Sequence, residues 1–344
     1  MPTLTLSTPS DYDLARDACS YGYFLLAPNR WMVAEQSLVR PLLLSDGPVL
    51  ICIHQPGGTG GSLRLALSRA LRAGARREAI RQIVRMLRLD EDEATIRNFH
   101  RADPRFARSG RGRLFRSPTL FEDVIKTVTS CNVTWPSTVQ MNLRLCQVLG
   151  EGDVDAATFP VPAKVARTRP QTLRARCRVG YRDGRIVELA RRFRAPARRG
   201  GIDLALIESP STSDDDLFAY LVELPGIGPY AAANIMQLLG RYSRLPLDTE
   251  SVRHGRKILG FKGSSAQVMK RVHRHFAPFG VHAFRSYWFE LWEHYERRHG
   301  PSSTWERDST GRMFTAALLN RPLQDTDPDS DRQPHAHQSR TNRK

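Results

Sequence analysis

The chain has 344 residues, 40% hydrophobic and 25% charged, with a formal net charge of +17. That length holds about two domains with room for a sizeable core, and no apolar run approaches the ~20 residues of a membrane span. The N-terminus lacks the basic-then-apolar pattern of a secretory signal, so a cytoplasmic protein with no membrane association is expected. The cationic excess, mostly arginine, points to polyanions as partners and to binding that weakens with salt. Solvated arginine faces would give the same composition, so position has to decide. The arginines cluster at 101–116, 167–199 and 241–256, beside helical patterns. The five cysteines, at 19, 52, 131, 146 and 177, show no C-x-x-C pair and fit reduced, buried thiols.

Residues 1–19 carry weak signals, and short strands are expected over 23–26 and 31–36. Val49, Ile51 and Ile53 alternate with Leu50 and Cys52 after the turn Asp46-Gly47, a hairpin signature, and Leu63, Leu65 and Leu67 alternate again. Ile80, Ile83, Val84 and Leu87 then mark an amphipathic helix. Residues 1–110 read as a small antiparallel sheet with a covering helix and no chemistry of its own.

Ser117-Pro118 signals a helix start, and Phe121, Val124, Ile125 and Val128 form its buried stripe. The pattern breaks at Ser130, Cys131 and Asn132 and resumes after Pro136 with Met141, Leu145 and Val148. Asn132 either caps a turn or serves a surface loop; Trp135 is expected in the core. Residues 151–172 form a Pro- and Ala-rich connection. The turn Gly180-Tyr181-Arg182 precedes a helix with Ile186, Leu189 and Ala190 inward, where Tyr181 could be an ordinary packed ring. Ser211, Ser213 and the acids at 214–216 are capping candidates.

The stretch 221–254 organises the rest. Two helical patterns flank Pro225-Gly226-Ile227-Gly228, and the second opens with Pro229, favoured at the first helical position. Ala232, Ile235, Met236 and Leu239 give it a buried stripe. Gly226 and Gly228 allow a tight turn and close approach by another molecule. The amides opening the second helix suit a phosphate. After a short basic loop, Asp248 stands at the start of a further helix running to about Leu259, where it would ordinarily serve as an N-cap. Phe284, Tyr287, Trp288 and Trp292 form an aromatic stripe within 276–295. Residues 321–344 have the composition of a disordered tail, and His335 and His337 there make a poor metal site.

Leu224 to Gly228 (L-P-G-I-G) and Leu247 to Thr249 (L-D-T) resemble the hairpin and catalytic-aspartate signatures of the helix-hairpin-helix–Gly/Pro/Asp DNA glycosylases. The nearest branch is the AlkA-type 3-methyladenine and 8-oxoguanine enzymes without an iron–sulfur cluster, since no cysteine follows 177. The resemblance spans roughly 111–295 and implies an α+β, mostly α fold: the N-terminal β-rich domain, then a helical glycosylase domain over 111–320. It implies Asp248 as catalytic residue, with Gly226, Gly228, Tyr230, Asn132, Tyr181 and Arg182 on DNA. Asn132 aligns with a gap-filling asparagine, and Tyr181 with an aromatic able to wedge into a base step. Phe284 and Trp288 would line the base pocket. A structural alkali or alkaline-earth ion would sit on the carbonyls of Val222, Leu224 and Ile227.

Cleaving a glycosidic C–N bond builds positive charge on the sugar, which a fixed carboxylate stabilises. Lyase-type members carry a Schiff-base lysine where this chain has Tyr230, and Lys257 and Lys262 do not match that position. Glu250 also stands where the oxidised-purine enzymes have histidine. The implied protein is a monomeric, monofunctional N-glycosylase acting on damaged bases, alkylated ones first, in double-stranded DNA. Two other readings stay open: a non-catalytic DNA-binding module, and a glycosylase/lyase for oxidised purines using a displaced lysine.

Overall fold

A computed structural model describes residues 1–313. The expected tail, with His335 and His337, lies outside those residues, as does the end of the expected helical domain. Strands β1 (Thr3–Leu6), β2 (Arg30–Met32), β3 (Ser37–Leu44), β4 (Gly47–His54) and β5 (Leu63–Leu67) form one antiparallel sheet, ordered β1-β5-β4-β3-β2. Leu44 faces Gly47 across the β3–β4 hairpin. Gly47 there takes a φ of +106°, and Arg69 bonds both carboxylate oxygens of Asp46 to pin the turn. The alternation reads as expected: Val49, Ile51, Ile53, Leu63, Leu65 and Leu67 are buried, and Leu50 faces outward.

Two strand expectations fail. Residues Gly22–Leu25 form a 3-10 turn, because Tyr23, Phe24 and Leu25 are all buried and consecutive inward side chains cannot alternate on a pleat. The segment expected as a strand over 31–36 contributes only its start, to β2, before turning at Gln36. β3 carried no period-2 signal, since six of its eight residues are buried.

The helices are α1 (Leu14–Ala18), α2 (Ala73–Met86), α3 (Glu93–Ala102), α4 (Leu120–Ser130), α5 (Trp135–Leu149), α6 (Pro162–Arg167), α7 (Pro170–Thr172), α8 (Asp183–Arg194), α9 (Leu204–Glu208), α10 (Asp214–Val222), α11 (Pro229–Leu239), α12 (Thr249–Lys257), α13 (Ser265–Phe276), α14 (Ala283–His299) and α15 (Arg307–Met313). The covering helix α2 turns Ala75, Ala79, Ile83 and Met86 inward, leaving Ile80 and Val84 half-buried. α4 is capped by Thr119 rather than begun at Ser117-Pro118, and its residues from Leu120 to Thr129 are buried on every side. Its buried charges are paired. Glu122 accepts from Arg40 at 2.5 Å and pairs ionically with Lys126 at 2.7 Å, and Asp123 pairs ionically with Arg85 at 2.7 Å. The 151–172 connection contains α6 and α7, with α6 packed on α8.

Two hydrophobic clusters organise the molecule. One joins the sheet, α2 and α3 to α12, α13 and α14; the other gathers α4 to α6 and α8 to α11. Neither stops at residue 110, so the sheet shares its core with the C-terminal helices. α5 and α11 feed both clusters: Val139 and Leu238 belong to the first, Leu145 and Ile235 to the second. The candidate site lies where the two meet.

Candidate functional site

α10, a tight turn and α11 form a helix-hairpin-helix. Ser213 caps α10, its hydroxyl accepting from the Asp216 amide at 3.1 Å. Leu224 and Ile227 bury their side chains beneath the turn, and the Ile227 amide closes it onto the Leu224 carbonyl at 3.0 Å. Gly226 has a φ of +76°, and a Cβ there would lie 2.6 Å from Arg185 Cδ, so packing and conformation both require glycine. Gly228 is extended, and a Cβ on it would meet nothing within 4 Å. It is the N-cap of α11 and offers no side chain to the first-turn amides, which helix geometry leaves without intrahelical acceptors. Pro229 takes the first helical position as expected. The helix interior is buried all round, with Leu239 half-exposed rather than completing a stripe.

The far end of α11 is saturated. Gly240, at φ +94°, turns the chain, with the Gly240 and Arg241 amides bonding Gln237 O at 3.0 Å and Met236 O at 2.9 Å. Arg88 donates to Gln237 O at 2.6 Å and Leu238 O at 3.0 Å, and Arg116 to Leu238 O at 3.1 Å. Burial, with the charges of Arg88 and Arg85, lowers the Arg116 pKa to about 10. The loop onward is tied to the start of α10: Arg241 and Ser243 bond Asp214, and Arg244 bonds Asp215. Two of the three expected capping acids therefore hold the segment that delivers Asp248.

Asp248 is the N-cap of α12. Its Oδ1 accepts from the Glu250 amide at 2.9 Å, the Ser251 amide at 3.0 Å and the Ser251 hydroxyl at 3.3 Å. Its Oδ2 bonds no protein group among the described residues. Burial raises the carboxyl pKa above its usual value; the Ser251 amide opposes this and the Glu250 charge adds to it. Glu250 itself turns to Arg253, at 2.9 Å, and Tyr295, at 2.8 Å.

Around Asp248 the fold assembles side chains far apart in sequence. Tyr230 is half-buried, and its phenol pKa is raised well above the usual value by burial and then by the charge of Asp248. Tyr21, Cys131 and Tyr287 lie within electrostatic reach of the same carboxylate. Burial pushes the Cys131 thiol up to about 11. Tyr21 donates to Asn234 Oδ1 at 3.2 Å and stands 4.7 Å from Trp288, ring to ring. Tyr287 shares a 2.9 Å bond with the Ser251 hydroxyl. Sequence reading missed these partners except as pattern: Ser251, three residues after Asp248, completes a capping box. Tyr21 had no local signal.

Asn132 is exposed in the loop after α4, with a left-handed φ of +53°. Tyr181 is 54% exposed, its ring resting over Arg182 at 4.4 Å and Arg185 at 5.4 Å. Arg182 corrects the expectation that it faces DNA. It is buried beneath the tyrosine and donates to Val128 O at 3.1 Å, to Cys131 O, and to Asn132 O at 3.5 Å. The end of α4 leaves carbonyls without helical partners, and the guanidinium fork takes them up.

Phe284 is corrected too. It is 0% exposed, stacked 5.9 Å behind Trp288, and serves the core rather than a pocket wall. Trp288 is half-buried, donating from Nε1 to Ser20 O at 2.8 Å. Their helix, α14, begins only at Ala283, after a break where Gly280 has a φ of +55°. Trp135 packs against Gly22 and is half-buried, close to the core position expected. Among the described residues no group of three His, Cys, Asp or Glu side chains could hold a metal ion, and no helix is long and apolar enough to cross a membrane.

No protein-family model and no curated protein matches the sequence. Solved structures do match its fold. A structure of MBOgg1 in complex with a low-affinity DNA ligand aligns with TM-score 0.61 at 17% identity, covering 85% of this chain and 96% of that one. The 3-methyladenine DNA glycosylase from Archaeoglobus fulgidus aligns equally well, with TM-score 0.61, 17% identity and 85% and 98% coverage. The 8-oxoguanine glycosylase/lyase of Clostridium acetobutylicum, bound to double-stranded DNA with cytosine opposite 8-oxoG, gives TM-score 0.54 at 16% identity over 80% and 93% of the two chains. The chain has the fold of these DNA glycosylases.

Proposed function

We propose that this protein is a monofunctional DNA N-glycosylase that extrudes a damaged base, with an alkylated purine as the first candidate, and hydrolyses its N-glycosidic bond. The observation that carries the reading is Asp248: a carboxylate fixed through one oxygen, with the other bonding no protein group among the described residues, in electrostatic reach of Tyr230 at an uncapped helix N-terminus. The hairpin would hold a backbone phosphate on the first-turn amides of α11. Asp248 Oδ2 would then face the sugar, stabilise the positive charge developing at C1′ and orient the attacking water. Tyr181 would enter the base step and Asn132 the gap left by extrusion, which costs a few kcal/mol.

Tyr230 supports hydrolysis over lyase chemistry, because a neutral phenol beside Asp248 cannot form a Schiff base. The half-buried indole of Trp288, with Tyr21 against it, offers an aromatic face to an electron-poor alkylated base. The carbonyls of Val222, Leu224 and Ile227 would supply an all-oxygen donor set, which suits a hard alkali or alkaline-earth cation rather than a transition metal. Leu224 O already accepts one amide and keeps a second lone pair. Bound there, a cation would add positive charge under the phosphate.

Single-turnover release from duplexes carrying methylated, oxidised or deaminated bases tests the reading. Release of an alkylated base, without borohydride-trappable protein on an abasic duplex, is the expected result. Release confined to oxidised purines, with trapping, would replace it by the lyase reading. No release from any duplex would leave a DNA-binding module.

A further inference from the structure

The arginines of this chain are not all used alike. Around the sheet Arg16, Arg40, Arg69, Arg85, Arg113 and Arg116 each bond an acid. Between 164 and 199 the only acids are Asp183 and Glu188, already paired with Arg174 and Arg192. Arg167, Arg169, Arg176, Arg178, Arg185 and Arg191 are exposed there and bond no acid among the described residues.

The segments that carry these side chains pack one on another, beginning at the hairpin. Arg185 packs where a Cβ on Gly226 would fall, and its guanidinium lies 5.4 Å from the Tyr181 ring. Beyond Tyr181 the chain runs back through Arg178, itself left-handed at φ +57°, to a π-type turn over Leu173–Cys177 that packs on α5. There Arg144 donates to the Arg176 carbonyl at 3.5 Å. α6, which ends at Arg167, packs against α8, and α7, with Arg169 as its N-cap, packs against α8 and the same turn.

We infer that this unpaired arginine ridge is a second duplex-binding surface, taking the backbone phosphates that flank the lesion beyond the hairpin's reach. The inference rests on the reading that duplex DNA is the hairpin's partner. An arginine already held by a carboxylate must give up that bond to take a phosphate. An unpaired one presents its planar fork directly, and only displaces counterions from the DNA. Continuity with the hairpin and Tyr181 favours one rigid duplex lying along the ridge over an unrelated polyanion.

The test is a titration of the full chain with undamaged duplexes, one covering the hairpin alone and one longer by about one helical turn, ~10 bp. The ridge variant carries Arg167→Gln, Arg169→Gln and Arg176→Gln. A control with the same charge change carries Arg72→Gln, Arg76→Gln and Arg77→Gln, exposed arginines around the start of α2 that bond no acid among the described residues. The parent should bind the longer duplex more tightly. The ridge variant should lose most of that gain, binding about 10-fold more weakly with a log–log salt slope flatter by roughly 2–3, while the control keeps it. A ridge variant that retains the gain, or a control that loses as much, would overturn the inference. Tighter binding of a single-stranded RNA of equal phosphate number would do so as well. Because the DNA is undamaged, a failure of base release leaves this result readable, and the hairpin reading has its own variant at Gly228.

Discussion

Two helices begin within twenty residues of each other and finish their N-termini in opposite ways. α11 starts at Gly228, which contributes no side chain and leaves open space above the first turn. α12 starts at Asp248, whose carboxylate closes its own first turn in a full capping box. Each start carries the positive end of a helix dipole. The first leaves that potential without a side-chain partner; the second directs it at a residue of the chain. On the proposed function, the difference would set an attraction for phosphate beside a negative charge for a cationic transition state. The opposite end of α11 is anchored by Arg88 and Arg116.

The largest expected effect comes from neutralising the closed start. Asp248→Asn keeps most of the capping but removes the charge, and should reduce single-turnover base release by ~10²–10³ while duplex affinity stays close to the parent's. Its folded carboxyl pKa is raised, so the ionised group is held at a cost at neutral pH that disappears on acidification. The variant should therefore melt no lower than the parent at neutral pH, and parental base release from it would remove Asp248 from catalysis.

Making the open start resemble the closed one is the next largest change. Gly228→Asp meets no neighbour, caps α11, and sets a carboxylate where phosphate should lie. All duplexes, damaged or not, should bind about tenfold more weakly, the scale of a charge at a helix end, with a small gain in melting temperature. Unchanged affinity would mean that the hairpin does not hold phosphate.

The pH profile sharpens the comparison further. Base release should fall as pH drops through a limb above the ordinary carboxylate range, because burial raises the Asp248 pKa and release needs the ionised form. A limb at the ordinary carboxylate value would contradict the burial described here. Ser251→Ala gives the smallest effect. It removes one donor to Asp248 and one partner of Tyr287, which should lower stability by ~1 kcal/mol and move the acid limb up further. An unmoved limb would show that this hydroxyl does not support the charge.

What was legible in the sequence was local. The hairpin, Pro229, Asp248 and the alternation of β4 and β5 each follow from a few neighbouring residues, and each appears in the structure. What was not legible depended on burial from several sides or on contacts across the chain. β3 lost its alternation because both faces are covered, and residues 23–26 looked like a strand because three apolar residues in a row carry no phase. Tyr21 reaches Asn234 across more than two hundred residues, which no spacing rule anticipates. Arg182 was placed on DNA by the resemblance at Gly180-Tyr181-Arg182, although the carbonyls left by α4 had greater need of its donors. Phe284 was placed at the pocket by the resemblance, which carries no information on the rings stacked against it.

Arg182 also has a mechanical consequence. One guanidinium supports the Tyr181 ring and grips the carbonyls of Cys131 and Asn132, so the two loops hang from a shared bracket. Neither loop can shift far unless the other follows. If Tyr181 and Asn132 act on opposite sides of an opened base pair, the spacing between them is fixed before DNA arrives. Opening is then gauged against a rigid two-pronged tool, and a pair that does not part at that spacing is left stacked.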